Sequence, residues 1–129
     1  MKKPNSIPEY ENKNPLTIPE ATRPEALVSR LFEKSCILLH DSLTALESSD
    51  EEFFQQSSLH AIQILLSLRF VLDISRDDAF SMSLYETYTA ISASLIRGRK
   101  NKDKELLHKI YLALDELREA WQTFSKTPT

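Results

Sequence analysis

Residues 103–124 read DKELLHKIYLALDELREAWQTF, and the periodicity of this stretch decides the fold. Leu107, Ile110, Leu114, Leu117, Trp121 and Phe124 follow one another at steps of three and four. A helix turns once every 3.6 residues, so this spacing predicts one apolar stripe along a helix. A lone helix leaves such a stripe in water, and its stability must come from packing against partner helices. The string Leu117-Arg118-Glu119-Ala120-Trp121 closes the stripe with strong helix formers around the chain's single tryptophan.

Glycine supports the same conclusion for the rest of the chain. The 129 residues contain one, Gly98, whereas sheet proteins need glycine for tight hairpins and bulges. Apolar periodicity and capping signals predict helices over about 23–47, 50–73, 78–97 and 103–125. Thr22 and Glu25 are spaced as a capping box with Pro24 in the first turn, and Ser49 with Glu52 repeats the signal. Asp77 or Asp78 is placed to cap the third helix. Its stripe is Leu84, Tyr88, Ile91 and Leu95, and Gly98 is expected just past its end in the left-handed C′ position. Short connections make sequential helices antiparallel neighbours. The expected fold is therefore all-α, an antiparallel up-down four-helix bundle over residues 22–126. Residues 1–21 read as an extended or mobile N-terminal arm, punctuated by Pro4, Pro8, Pro15 and Pro19.

Composition narrows the function classes. Hydrophobic residues at 41% and charged residues at 27% are those of a soluble domain of this length. A net charge of −3 argues against a broad nucleic-acid footprint. Cys36 stands alone, so no internal disulfide marks the chain as secreted. The N-terminal residues hold no apolar signal-peptide core, and no apolar run is long enough to span a bilayer. A cytoplasmic protein without membrane insertion is expected.

Candidate chemistry is sparse. Di-iron bundles use two Glu-x-x-His motifs, and Glu105–His108 is the single one here; Ile37 and Ser57 stand three residues before His40 and His60. Adjacent residues His40 and Asp41 point about 100° apart on a helix and cannot act as a pair. Cys36 sits at the edge of an apolar arc and reads as a small core residue. The basic run Arg97, Arg99, Lys100, Lys102 and Lys104 complements the dipole at the end of the third helix. No catalytic residue, metal or cofactor is expected.

Apolar surface, by contrast, is in excess. The first helix spreads its apolar residues over roughly 180° of its circumference. In the second helix, Phe53, Phe54, Leu59, Ala61, Ile62, Ile64, Leu65, Leu66, Leu68, Phe70, Val71 and Leu72 cover roughly 260°. A bundle of four has no central helix to bury such an arc. Part of it must meet the N-terminal arm, a second copy of the chain or another protein.

Several blocks resemble a known family. Ala61 and the string Leu68-x-x-x-Leu72-Asp73, then Tyr88 with Leu84 and Ile91, and finally Leu117-Arg118-Glu119-Ala120-Trp121 are similar, in register, to motifs of the flagellin export chaperone family, FliS. Pro24 through Leu27 and Leu31-Phe32-Glu33 resemble its N-terminal helix, with Phe32 and Glu33 standing where the family has tyrosine and aspartate. The likeness covers about residues 22–124. It implies a non-enzymatic cytoplasmic chaperone that takes the disordered C-terminal region of flagellin as helical segments in apolar grooves. It further implies that premature polymerisation is prevented and the client delivered to the export gate, with an export-gate protein and a co-chaperone as further partners. On that reading Leu31, Phe32, Ile62, Leu65, Leu66, Arg69, Tyr85, Tyr88 and Ile91 form or support the partner-binding grooves, in a monomer or weak homodimer. Leu114, Leu117 and Trp121 are assigned to the core. Ile7, Tyr10, Leu16 and Ile18, the apolar residues of the arm, are expected to gate a groove until the client displaces them. The alternative is a homo-oligomeric bundle, a structural or adaptor protein that buries the second helix against its own copy.

Overall fold

The computed structural model describes residues 24–75 and 79–126. They form four helices: α1 (Pro24–Glu47), α2 (Glu51–Ser75), α3 (Ala79–Asn101) and α4 (Lys104–Lys126). Helix α1 packs on α2 and α4, and α3 packs on the same two; among the described residues neither diagonal pair brings its backbones close. This is the up-down ring expected from short connections. The stripes supply the core, with Val28, Phe32 and Leu39 facing Phe54, Leu65, Leu68, Leu84, Leu95, Leu107, Leu114 and Trp121, all buried. Leu117 and Phe124 are half-buried and pack against it.

The longest seam, between α1 and α2, is built from small residues. Ser35, Ser42, Ala45, Ser57 and Ala61 are all buried, which lets the two helices approach closely, and Ser58, buried too, lies towards α3. Their hydroxyls are satisfied locally. Ser35 donates to the Phe32 carbonyl at 2.8 Å and Ser58 to that of Phe54 at 2.6 Å. The Ser42 and Ser57 hydroxyls meet across the seam at 2.9 Å. A buried serine that bonds its own helix carries little desolvation penalty.

At the opposite end of the ring, Trp121 Nε1 donates to the Glu25 carbonyl at 2.9 Å, tying the end of α4 to the first turn of α1. Phe80 stacks on Phe124 with centroids 4.2 Å apart and extends the aromatic contact to α3.

The turns after α1 and α3 share one design. Ser49 and Lys102 adopt positive φ, 57° and 50°. The next amide reaches back five residues, from Asp50 to Ala45 at 2.8 Å and from Asp103 to Gly98 at 3.0 Å. Each is a Schellman stop. The aspartate then caps the next helix, with Oδ1 accepting from the amide of Phe53 or Leu106 at 3.1 Å. Lys102–Glu51 at 2.6 Å and Lys104–Glu47 at 2.8 Å join the two turns side by side.

These turns correct three sequence-based expectations. The second helix is capped by Asp50 rather than by a Ser49–Glu52 box, because Ser49 is already committed to ending α1. Helix α2 runs two residues beyond residue 73. Gly98 does not end α3: the helix continues to Asn101, Lys102 takes the left-handed position, and Gly98 is buried with helical backbone. The reason is packing. A Cβ on Gly98 would lie 2.9 Å from Leu107 Cδ2 and 3.2 Å from Leu107 Cγ, so glycine is there to admit α4. Thr22, Asp77 and Asp78 lie outside the described residues.

Candidate partner-binding surface

The arc of α2 is only partly consumed by the bundle. Phe54, Ala61, Leu65, Leu68 and Leu72 are buried, and Ile62, Ile64 and Val71 are half-buried. Phe53 is 39% exposed on the α1 side, and Leu59, Leu66 and Phe70 stay open, at 43%, 47% and 74% exposure. At 100° per residue these three lie within roughly 40° of one another, a single outward stripe. Ile62 and Arg69 flank it on one side. That side faces α3, because Arg99 crosses from α3 to donate to Ser58 Oγ at 2.8 Å and Gln55 Oε1 at 2.7 Å. On α3, Tyr85 and Ile96 occupy the face turned back towards α2, and Ile96 is half-exposed. The two helices thus present these apolar residues side by side, with Arg69 next to Ile62 on the α3 side of the stripe.

The nine sequence-predicted groove residues separate into two layers. Leu66 and Arg69 are exposed, and Leu31, Ile62 and Tyr85 are half-buried at the margin. Phe32, Leu65 and Tyr88 are core residues that a ligand reaches in this conformation only through their neighbours, and Ile91, also buried, lines the α3/α4 groove. Tyr88 illustrates the difference. Burial pushes its phenol above the usual tyrosine range, against the opposing pull of the Ser92 hydroxyl and Arg69. Its ring tilts on that of Tyr85 at a centroid distance of 5.9 Å, so it positions Tyr85 rather than meeting solvent. Ile7, Tyr10, Leu16 and Ile18 lie outside the described residues.

Two further depressions run between helices. The α3/α4 groove, about 270 Å³, is lined by Thr87, Ala90, Ile91, Ser94, Leu106, Lys109, Ile110 and Ala113. Its floor of small residues carried no periodic signal. The α1/α4 cleft, about 590 Å³, has His40, Leu43, Thr44 and Tyr111 along its wall and the Glu47–Lys104 pair at its rim. His40 lies tilted on Tyr111, centroids 6.0 Å apart. Leu59, Phe70 and Ile96 are exposed apolar residues that the sequence does not single out as groove positions. An apolar residue near the edge of a stripe gives no sign of which side of the edge it falls on.

Side chains considered for chemistry take structural places. Burial pushes the Cys36 thiol up to about 11, with Asp115 adding to the shift and Arg118 opposing it, so Cys36 is held as a neutral thiol. Arg118 is bound to Asp115 at 2.8 Å. Among the described residues no group of three or more His, Cys, Asp or Glu side chains could hold a metal ion. No described helix is long and apolar enough to cross a membrane.

No curated protein matches the chain in sequence. A family model described as flagellar protein FliS matches residues 8–128, nearly the whole length and all four helices. The periodic helices, the register of the motif blocks and this match agree, and the chain belongs to the FliS family of flagellar proteins.

Proposed function

We infer that this protein is a cytoplasmic export chaperone for flagellin, binding the client's C-terminal region along its outer apolar grooves. The observation that carries the reading is the outward stripe of α2, Leu59, Leu66 and Phe70. Three large apolar side chains on one helix face are costly to leave in water and are the mark of a docking surface. A helical segment with apolar residues at i, i+3 or i+4, and i+7 fits such a face. Holding the segment helical on the chaperone prevents its use in premature polymerisation, and the loaded complex is what the export gate receives. Leu66, Ile62, Arg69 and Tyr85 make contact in this reading, Leu31 borders the surface, and Phe32, Leu65, Tyr88 and Ile91 hold those walls from beneath. The arm residues Ile7, Tyr10, Leu16 and Ile18 gate the surface until the client arrives.

Calorimetric titration with the C-terminal segment of the organism's own flagellin tests the reading. One-to-one binding with a negative heat-capacity change and a gain of helix is expected, because apolar burial is coupled to ordering of the client. Absence of binding, together with a concentration-dependent mass, refutes it in favour of a homo-oligomer that buries α2 against its own copy.

A further inference from the structure

The apolar arc of α2 is too wide to set its own rotation. At 100° per residue the inner face, Phe54, Ala61, Leu65, Leu68 and Leu72, is flanked by Phe53, Ile64 and Val71 towards α1 and by Ile62 towards α3. A roll of about 50°, half a residue step, brings Phe53, Ile64 and Val71 inward and turns Leu65 towards α3. The two arrangements bury comparable apolar faces, and the hydrophobic effect has no direction of its own to choose between them. The opposite roll is closed, because it drives the exposed Arg69 inward along with Ile62.

Polar contacts make the choice, and the strongest comes from α3. The half-buried Arg99 donates through Nε to Ser58 Oγ at 2.8 Å. Its Nη2 donates to Gln55 Oε1 at 2.7 Å and to the Gln55 carbonyl at 3.2 Å. Gln55 is held ready for it, since Gln55 Nε2 donates to Glu51 Oε2 at 2.9 Å and Lys102 holds Glu51 Oε1 at 2.6 Å. The base of the arm is fixed as well: Gly98, the residue before it, lies so close to Leu107 of α4 that no Cβ fits between. A 50° roll moves side-chain tips on α2 by about 5 Å, well beyond hydrogen-bond reach. The Ser42–Ser57 contact opposes the same roll from α1, but each of those hydroxyls also bonds its own helix, at 2.9 and 2.8 Å. Losing that contact therefore orphans neither. Losing Arg99 orphans little on α2, because Ser58 keeps its bond to the Phe54 carbonyl at 2.6 Å and the half-buried Gln55 can turn to water. The contact serves selection of one packing more than stability.

We propose that Arg99 is a positioning residue of the partner-binding surface. It fixes the rotation of α2 and so keeps Ile62 and Leu66 beside Tyr85 and Ile96 of α3. That this surface serves a client rests on the preceding reading; the rotation does not.

Arg99→Met, which keeps an apolar stem without the planar fork, tests this in the full chain. A neutral gadolinium chelate in solution broadens the methyl signals of exposed side chains. In the wild type Leu66 should broaden strongly and Leu65 little, with Ile64 and Val71 between them. In Arg99→Met, Leu65 should gain broadening and Ile64 and Val71 lose it, while circular dichroism stays unchanged. The double variant Gln55→Ala, Ser58→Ala removes the same contact from the α2 side and should shift the pattern alike. An unchanged pattern in either variant overturns the proposal, and so does loss of the fold in both. If about one chain in five keeps the wild-type rotation, apparent affinity for the flagellin segment falls about fivefold. Undiminished binding to a variant whose pattern has shifted overturns the positioning role and leaves the chaperone reading standing. Failure of the segment to bind the wild type, with the pattern shifted in the variants, refutes that reading and leaves the rotation assigned to Arg99.

Discussion

Leu65 and Leu66 are adjacent in sequence and opposite in fate, and truncating each to alanine separates fold from function. Leu65 is fully buried between Phe54, Ala61 and Leu68 on the inner face of α2, whereas Leu66 is 47% exposed on its outer face. Leu65→Ala removes buried methyl groups and leaves a cavity, which costs about 2–5 kcal/mol of stability. Full burial of a leucine side chain is worth about 1.5–3 kcal/mol. Leu66 realises about half of that on folding, so Leu66→Ala lowers stability by about 1 kcal/mol. The other half remains for a ligand to claim, so the same substitution weakens client binding by about 1 kcal/mol, roughly fivefold. Urea denaturation followed by circular dichroism measures the first quantity and calorimetry with the flagellin segment the second. The reasoning fails if Leu66→Ala unfolds the protein as readily as Leu65→Ala does. It fails equally if Leu66→Ala binds the client with wild-type affinity, since the outer stripe would then not be the docking face.

Two other expectations follow from buried positions. Gly98→Ala gains about 1 kcal/mol of helix propensity but drives a methyl against Leu107, whose Cγ as well as its terminal carbon lies in the way. Leu107 is fully buried and cannot swing aside, so overpacking of about 1–3 kcal/mol outweighs the gain; a lower urea midpoint is expected, and a higher one would show that Leu107 has room. Cys36, with its thiol near 11 in the fold against 9.0 for the free group, should resist alkylation at pH 8 until the chain unfolds. Because the unfolded chain loses this proton first, its contribution to stability is full below pH 9 and declines as pH rises towards 11. Cys36→Ala should flatten that part of the pH–stability curve, and an unchanged slope there would exclude the thiol as its cause.

The serines on the α1/α2 seam show why burial was harder to read than helix type. Ser35, Ser42 and Ser57 read as polar, yet they are buried in the most extensive contact of the bundle, because a hydroxyl can return its hydrogen bond to its own helix. The basic run behaves similarly. Its excess charge was visible from the sequence, but three of its five cations cross to Gln55, Ser58, Glu51 and Glu47, while Arg97 remains at the edge of a groove.

What the sequence determined by itself was helix type and register. The three-and-four spacing of Leu107, Ile110, Leu114 and Trp121 is local geometry, and all four side chains are buried. The near absence of glycine argued against a sheet, the short connections determined antiparallel order, and the width of the α2 arc showed that some apolar surface must remain outside. Only the tertiary structure decided which part. Whether Leu65 or Leu66 faces inward depends on the azimuth at which α2 meets α1 and α3, which is set by the Ser42–Ser57 contact on one side and Arg99 on the other. Gly98 makes the same point, since its local conformational freedom suits a helix stop and its missing side chain suits a close contact. The approach of Leu107 from another helix selects the second. Periodicity is a property of one helix, whereas the boundary between core and groove belongs to the pair that meets there.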